Sequence, residues 1–111
     1  MNWRYFVMNI ITEIVTLKTA EGVFKDDFIE IVDGLEKNFH SLQFGFIDTE
    51  LLYDDTNDEW VMLQHWSTMD SLKAASKKMF QDSAAEEFVK SLIPGSVKMR
   101  MLPQVKTWRL E

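Results

Sequence analysis

LQHWSTMDSLKAASKKMF, residues 63–80, decides the fold of this chain. Its first four residues continue an alternation of apolar and polar side chains, the period of a strand with one face buried. From Ser67 the period changes. Ser67-Thr68-Met69-Asp70 has the spacing of a helix start in which Ser67 accepts from first-turn backbone and Asp70 reaches back, and Leu72, Ala75, Met79 and Phe80 follow at helical steps. A strand therefore ends on Trp66 directly against a helix. The tryptophan is either a large core residue at that junction or one wall of a reactive pocket.

Outward toward the C-terminus, the helical pattern continues through Phe88, Val89 and Leu92, with a break expected near Gln81-Asp82-Ser83 and a stop at Pro94-Gly95. VKMRML (97–102) reads as the last core strand, Pro103 closes or bends it, and VKTWRL (105–110) is a short tail strand. Upstream, DDTND (54–58) is a hairpin turn by composition, joining FIDTELLYDD to EWVMLQHWS. Before it, Phe24, Phe28, Ile31, Leu35 and Phe39 recur at steps of three and four across 23–42, a helix with Asp26 and Asp27 early and Lys37 and His40 late, as the helix dipole favours. IITEIVTLKT (10–19) is β-branched and alternating, a first strand.

The order strand, helix, strand, strand, helix, strand predicts an α+β chain of ferredoxin-like type: a four-stranded antiparallel sheet with two helices on one face. The strands also carry apolar residues at both parities, with Ile14 beside Val15, Leu51 beside Leu52 and Trp60 beside Val61. Helices cover only one sheet face. The expected cover for the other is a second copy, a homodimer packed through the open sheet face.

Composition bounds the function. With 111 residues the chain is one domain over 10–111, residues 1–9 are expected to be an N-terminal extension, and no function is placed on 1–7. A net charge of -6 without a basic cluster argues against nucleic acid as a partner. No apolar run is long enough to cross a bilayer, MNWRYFVMNII lacks a signal-peptide cleavage site, and the absence of cysteine fits a cytoplasmic location. No spacing of His, Asp or Glu suggests a metal, and no glycine-rich phosphate loop is present, so no cofactor is expected.

With this order in place, Gly45-Phe46 opening the second strand, the LLYDDTNDEW hairpin, Gln64-His65-Trp66-Ser67 at the end of the third strand, and Leu72, Phe80 and Phe88 beyond it resemble the antibiotic biosynthesis monooxygenase-like (ABM-like) proteins, over roughly residues 10–105. The resemblance implies a dimeric α+β barrel. It also implies a function among cofactor-free oxygenases of quinols or anthrones, haem-degrading enzymes, or proteins of no known activity. Where the quinone-forming branch carries Asn before and Tyr after the tryptophan, this chain has Met62 and Leu72, and no Arg lies between Trp66 and Arg100. Gln64 and Ala75 stand where a common family pattern has Glu and His.

By alternation Trp66, Gln64, Met62 and Trp60 share one side, expected to face the helices, and His65 faces the other. Trp66 and Gln64 are the candidate catalytic residues, Trp66 stacking on a flat substrate and Gln64 contacting its polar atoms. Glu13, Asp48, Met62 and Met79 are the candidate pocket residues: a carboxyl in a dry cavity has a raised pKa and can serve as a base, and methionines line adaptable apolar space. The expected function is a cofactor-independent monooxygenase-like activity on a small aromatic or quinol-type molecule. The alternatives are a dimeric barrel that binds a small apolar ligand, haem included, without turning it over, and a structural dimer.

Overall fold

The computed structural model describes residues 3–6, as backbone, and 9–110. Strand β1 (Trp3–Phe6) is followed by β2 (Ile11–Leu17), helix α1 (Lys25–Asn38), β3 (Phe46–Asp54), β4 (Glu59–Trp66), α2 (Met69–Met79), α3 (Glu86–Lys90), β5 (Lys98–Pro103) and β6 (Thr107–Leu110). β3, β4, β2 and β5 lie side by side in that order as one antiparallel sheet, the expected ferredoxin-like arrangement. β1 and β6 pair antiparallel as a separate two-stranded ribbon, Trp3 opposite Leu110 through Phe6 opposite Thr107. The segment ahead of residue 10, expected to be a bare extension, thus carries a strand, and the tail strand is its partner.

The alternation in β2 and β4 sorts the two faces as expected. Ile11, Glu13, Val15 and Leu17 of β2 and Trp60, Met62, Gln64 and Trp66 of β4 are buried toward the helices. Phe28, Val32, Leu35 and Phe39 close over one half of that face with Phe88 of α3, and the Phe28 ring lies 4.9 Å from Trp60. Leu72 and Ala75 of α2 close over Ile11 and Trp66 at the other half. Each fully buried Phe or Leu adds about 1.5–3 kcal/mol of transfer free energy. Phe24, expected on the buried side of α1, is 74% exposed, because it precedes the first helical turn and points off the end of the sheet-facing stripe.

The junction quoted above is built differently in one detail. Thr68, not Ser67, caps α2: its hydroxyl accepts from the Ser71 backbone N–H at 3.0 Å. Ser67 is committed to the sheet end, its N–H donating to the Gly45 carbonyl at 2.7 Å. Gly45 sits at φ +82°, and a Cβ there would lie 2.8 Å from Ser67 Oγ and closer still to Ser71. This contact needs a residue without a side chain, in a conformation glycine adopts freely. The break in the second helical region falls where expected, between α2 and α3, with Asp82 capping a single 3-10 turn at Ser83–Ala85.

Candidate functional site

Between the sheet and the helices lies a cavity of about 380 Å³. Apolar side chains dominate its wall: Val15, Leu17, Leu35, Phe39, Met62, Met79 and Phe88. It opens past Phe80, Val89, Ile93, Val97 and Met99, all partly or largely exposed, where the α2–α3 break faces the start of β5. The volume lies within the range of small-molecule sites, which are mostly apolar with a few converging polar groups.

Four such groups gather at the β2–β4–α1 end: Glu13, His40, Gln64 and the indole of Trp66. Trp66 Nε1–H donates to Glu13 Oε1 at 3.1 Å. Glu13 is 4% exposed, and burial pushes its carboxyl up from the ordinary 4.5. The Trp66 hydrogen bond and the charge of His40 pull the other way without cancelling it. Gln64 donates to Thr49 Oγ1 at 3.0 Å. Its Nε2 also stands 3.3 and 3.4 Å from the two ring nitrogens of His40. Both contacts lie beyond the usual hydrogen-bond distances, so each is weak.

His40 begins the 3-10 turn His40–Leu42 that follows α1. That turn tucks the ring inward, 2% exposed, stacked on Phe46 at 5.3 Å and edge-on to Trp66 at 6.0 Å. His40 Nδ1 is hydrogen-bonded to Glu36 Oε2, one helical turn back. The expectation of a cation simply complementing a helix end is therefore corrected: His40 is a cavity residue. The signal for it in the sequence is the i, i+4 pair Glu36/His40 on one helix face.

Glu13, Met62, Gln64, Trp66 and Met79 all line the cavity. Asp48 does not, and its place among the pocket residues is corrected. Phe46 pairs with Trp66, but Asp48 pairs with His65, so a bulge at Ile47 shifts the register by one residue. A one-residue shift sends every following side chain to the opposite face. Asp48 and Glu50 thus leave the helix side, Thr49 and Leu51 enter it, and Asp48 Oδ1 meets His65 Nδ1 at 2.6 Å on the open face.

Among the described residues no group of three or more His, Cys, Asp or Glu could hold a metal ion, and no helix is long and apolar enough to cross a membrane.

A four-stranded antiparallel sheet enclosing an apolar cavity beneath its helices, with a tryptophan at the end of the third core strand, defines a ferredoxin-like α+β protein with an internal cavity. The sequence model of the antibiotic biosynthesis monooxygenase family matches residues 10–92, and the chain belongs to that family. Solved structures share the fold at low identity. SnoaB, a cofactor-independent oxygenase from Streptomyces nogalater, is 15% identical with TM-score 0.66, over 85% of this chain and 91% of its own. A candidate antibiotic biosynthesis monooxygenase from Bordetella bronchiseptica is 14% identical with TM-score 0.73, over 88% of this chain and 99% of its own. A conserved protein from Methanosarcina mazei Go1 is 15% identical with TM-score 0.63, over 85% of this chain and 91% of its own. No curated protein sequence matches the chain.

Proposed function

We propose that this protein is a cofactor-independent oxygenase that oxidises a small aromatic molecule of the quinol or anthrone class in the cavity beneath its sheet. The observation that carries this reading is the Glu13 carboxyl, buried in an otherwise apolar cavity and held by the Trp66 indole N–H. Substrates of this class become electron donors to oxygen once they lose a proton. The protein then has only to take that proton, exclude water and supply donors to the oxyanion that forms. For an anthrone methylene the reaction balances as CH2 plus O2 giving C=O plus H2O, so the substrate supplies all the electrons.

In this arrangement Trp66 walls the cavity and orients the Glu13 carboxyl, and Gln64 donates to the oxygen of the bound aromatic. Glu13, its pKa raised, holds a proton for that oxygen or for the departing hydroxide. The family and the cofactor-independent oxygenase of the same fold support the reading.

The active unit in this reading is a homodimer through the open sheet face. Ile14, Leu52, Val61, Leu63 and Leu102 are carried on the side of the sheet away from the helices, and none of them is fully buried in the single chain. Val105, Trp108 and Leu110, in and just before β6, are also at least half exposed and extend the apolar surface available to a second copy.

The test is oxygen uptake over a panel of quinols and anthrones, with Trp66→Phe, Gln64→Ala and Glu13→Gln alongside. Uptake above the buffer rate, reduced in the variants while folding is intact, is the expected result. A wild-type rate equal to buffer for every substrate sinks the oxygenase reading and leaves a cavity that binds without turnover.

A further inference from the structure

We propose that the Glu36–His40 couple is the proton-abstracting base of the cavity, with His40 Nε2 receiving the proton of the bound aromatic and Glu36 holding the ring in place. This rests on the oxygenase reading above and names its base.

The geometry is that of a carboxylate–imidazole dyad. A carboxylate only accepts hydrogen bonds, so when the ring is neutral its single proton sits on Nδ1, facing Glu36 Oε2. The lone pair is then on Nε2. Gln64 Nε2 meets it with a long contact of 3.3 Å while its other N–H goes to Thr49 at 3.0 Å, and a substrate that takes the Gln64 donor frees the lone pair. The ring cannot swing away, since Phe46 stacks on one side and Phe39 and Trp66 meet it edge-on. The couple is therefore an oriented base at the polar end of an apolar cavity, which is what general-base catalysis requires.

The groups around the ring divide the labour. Glu36 comes from its own helix, Glu13 from β2, Phe46 and Thr49 from β3, and Gln64 and Trp66 from β4. The two titratable neighbours have opposite surroundings. Glu36 Oε2 is tied to the imidazole, whereas Glu13 is sealed against Trp66, and its burial favours the protonated form. Burial disfavours the ionised form of Glu13 and its Oε1 is occupied by the Trp66 N–H, so the base falls to His40.

The proton balance closes. The substrate C–H or O–H proton moves to Nε2 and its electron pair stays on the ring system as the enolate or phenolate. Oxygen adds to that carbon to give a peroxide anion, which takes up the proton. The O–O bond then breaks as the second C–H proton leaves with hydroxide as water, and the carbonyl remains.

The test separates the base from the oxidation. Anthrone is bound to the protein under argon, where no oxidation proceeds, and the long-wavelength absorbance of the enolate is followed in stopped flow. Wild type and Asp48→Asn, outside the cavity, are expected to form the enolate, and His40→Gln to form it roughly 10²–10⁴-fold more slowly. Imidazole added to His40→Ala is expected to restore part of the rate. Enolate formation at the wild-type rate in His40→Gln overturns the assignment while leaving the oxygenase reading intact. Wild type that neither forms enolate nor consumes oxygen overturns both. ¹⁵N spectra of the His40 ring report on Glu36 without any substrate. The neutral ring is expected to carry its proton on Nδ1 in wild type and to redistribute it toward Nε2 in Glu36→Leu. A ring protonated at Nε2 in the wild type overturns the dyad.

Discussion

The indole N–H of Trp66 donates to Glu13 Oε1 at 3.1 Å, joining the end of β4 to the middle of β2 beneath the cavity. Across the ladder Glu13 faces Gln64 and Trp66 faces Ile11, so the bond is a diagonal between two neighbouring inward positions. It answers why a strand ends on tryptophan there: Trp66 is both a fully buried core residue and the donor that makes a buried carboxyl tolerable.

Removing that donor leaves a buried acceptor without its partner. Trp66→Phe is expected to cost about 1–3 kcal/mol in chemical denaturation. Adding Glu13→Met in the same chain is expected to recover part of the loss, since the orphaned polar group is then gone. A double variant that is additively worse would show that the hydrogen bond contributes nothing.

The raised value of Glu13 has a defined sign in stability. Below the ordinary 4.5 both folded and unfolded chains hold the proton. As pH rises through 4.5 toward the raised folded value, the unfolded chain ionises first and stability falls. Glu13→Gln lacks this slope. Its melting temperature is expected to match wild type below 4.5 and to exceed it increasingly as pH rises from there to the raised folded value, above which the gap is constant. Parallel curves across that range would contradict a buried, proton-holding carboxyl.

Gly45 is the one glycine where space and backbone agree. At φ +82° and against Ser67 and Ser71, a side chain meets both left-handed strain and a clash with the start of α2. Gly45→Ala is expected to cost about 2–4 kcal/mol, read from a denaturant midpoint. Gly34→Ala, with open space around its Cβ position, is the control and is expected to be neutral or stabilising.

The open sheet face is expected to hold a second copy. Leu63 stands there between Ile14 and Glu50 in register. Leu63→Glu is expected to convert a dimer to a monomer in sedimentation without unfolding the chain. A wild type that sediments as a monomer at micromolar concentration would remove the dimer from the reading.

Asp48 faces that same side, 2.6 Å from His65 and largely exposed. An exposed pair of this kind contributes about 0–1 kcal/mol. Asp48→Asn is expected to leave enolate formation unchanged, because the residue is outside the cavity. Loss of enolate would return Asp48 to the site.

Element order, the inward face of β2 and β4, the helix break and the family were legible because each rests on local periodicity, and Trp66, Gln64, Met62 and Glu13 follow from that alternation. Asp48 was not legible, since one extra residue at Ile47 inverts the parity of β3 and hydrophobicity alone does not mark a bulge. His40 was visible only as a late helical residue. Its entry into the cavity depends on a 3-10 turn and on Phe46 arriving from another element.

Which residues are strand, helix and core can be read along the chain, because period and polarity are properties of sequence neighbours. Which polar groups share the cavity is set by how the elements pack. Glu13 of β2 meets the Trp66 indole of β4, and the His40 ring from the turn after α1 packs against Trp66, only once β4 lies between β2 and β3 and α1 closes over them. Burial then sets their chemistry, and burial is a property of the assembled fold.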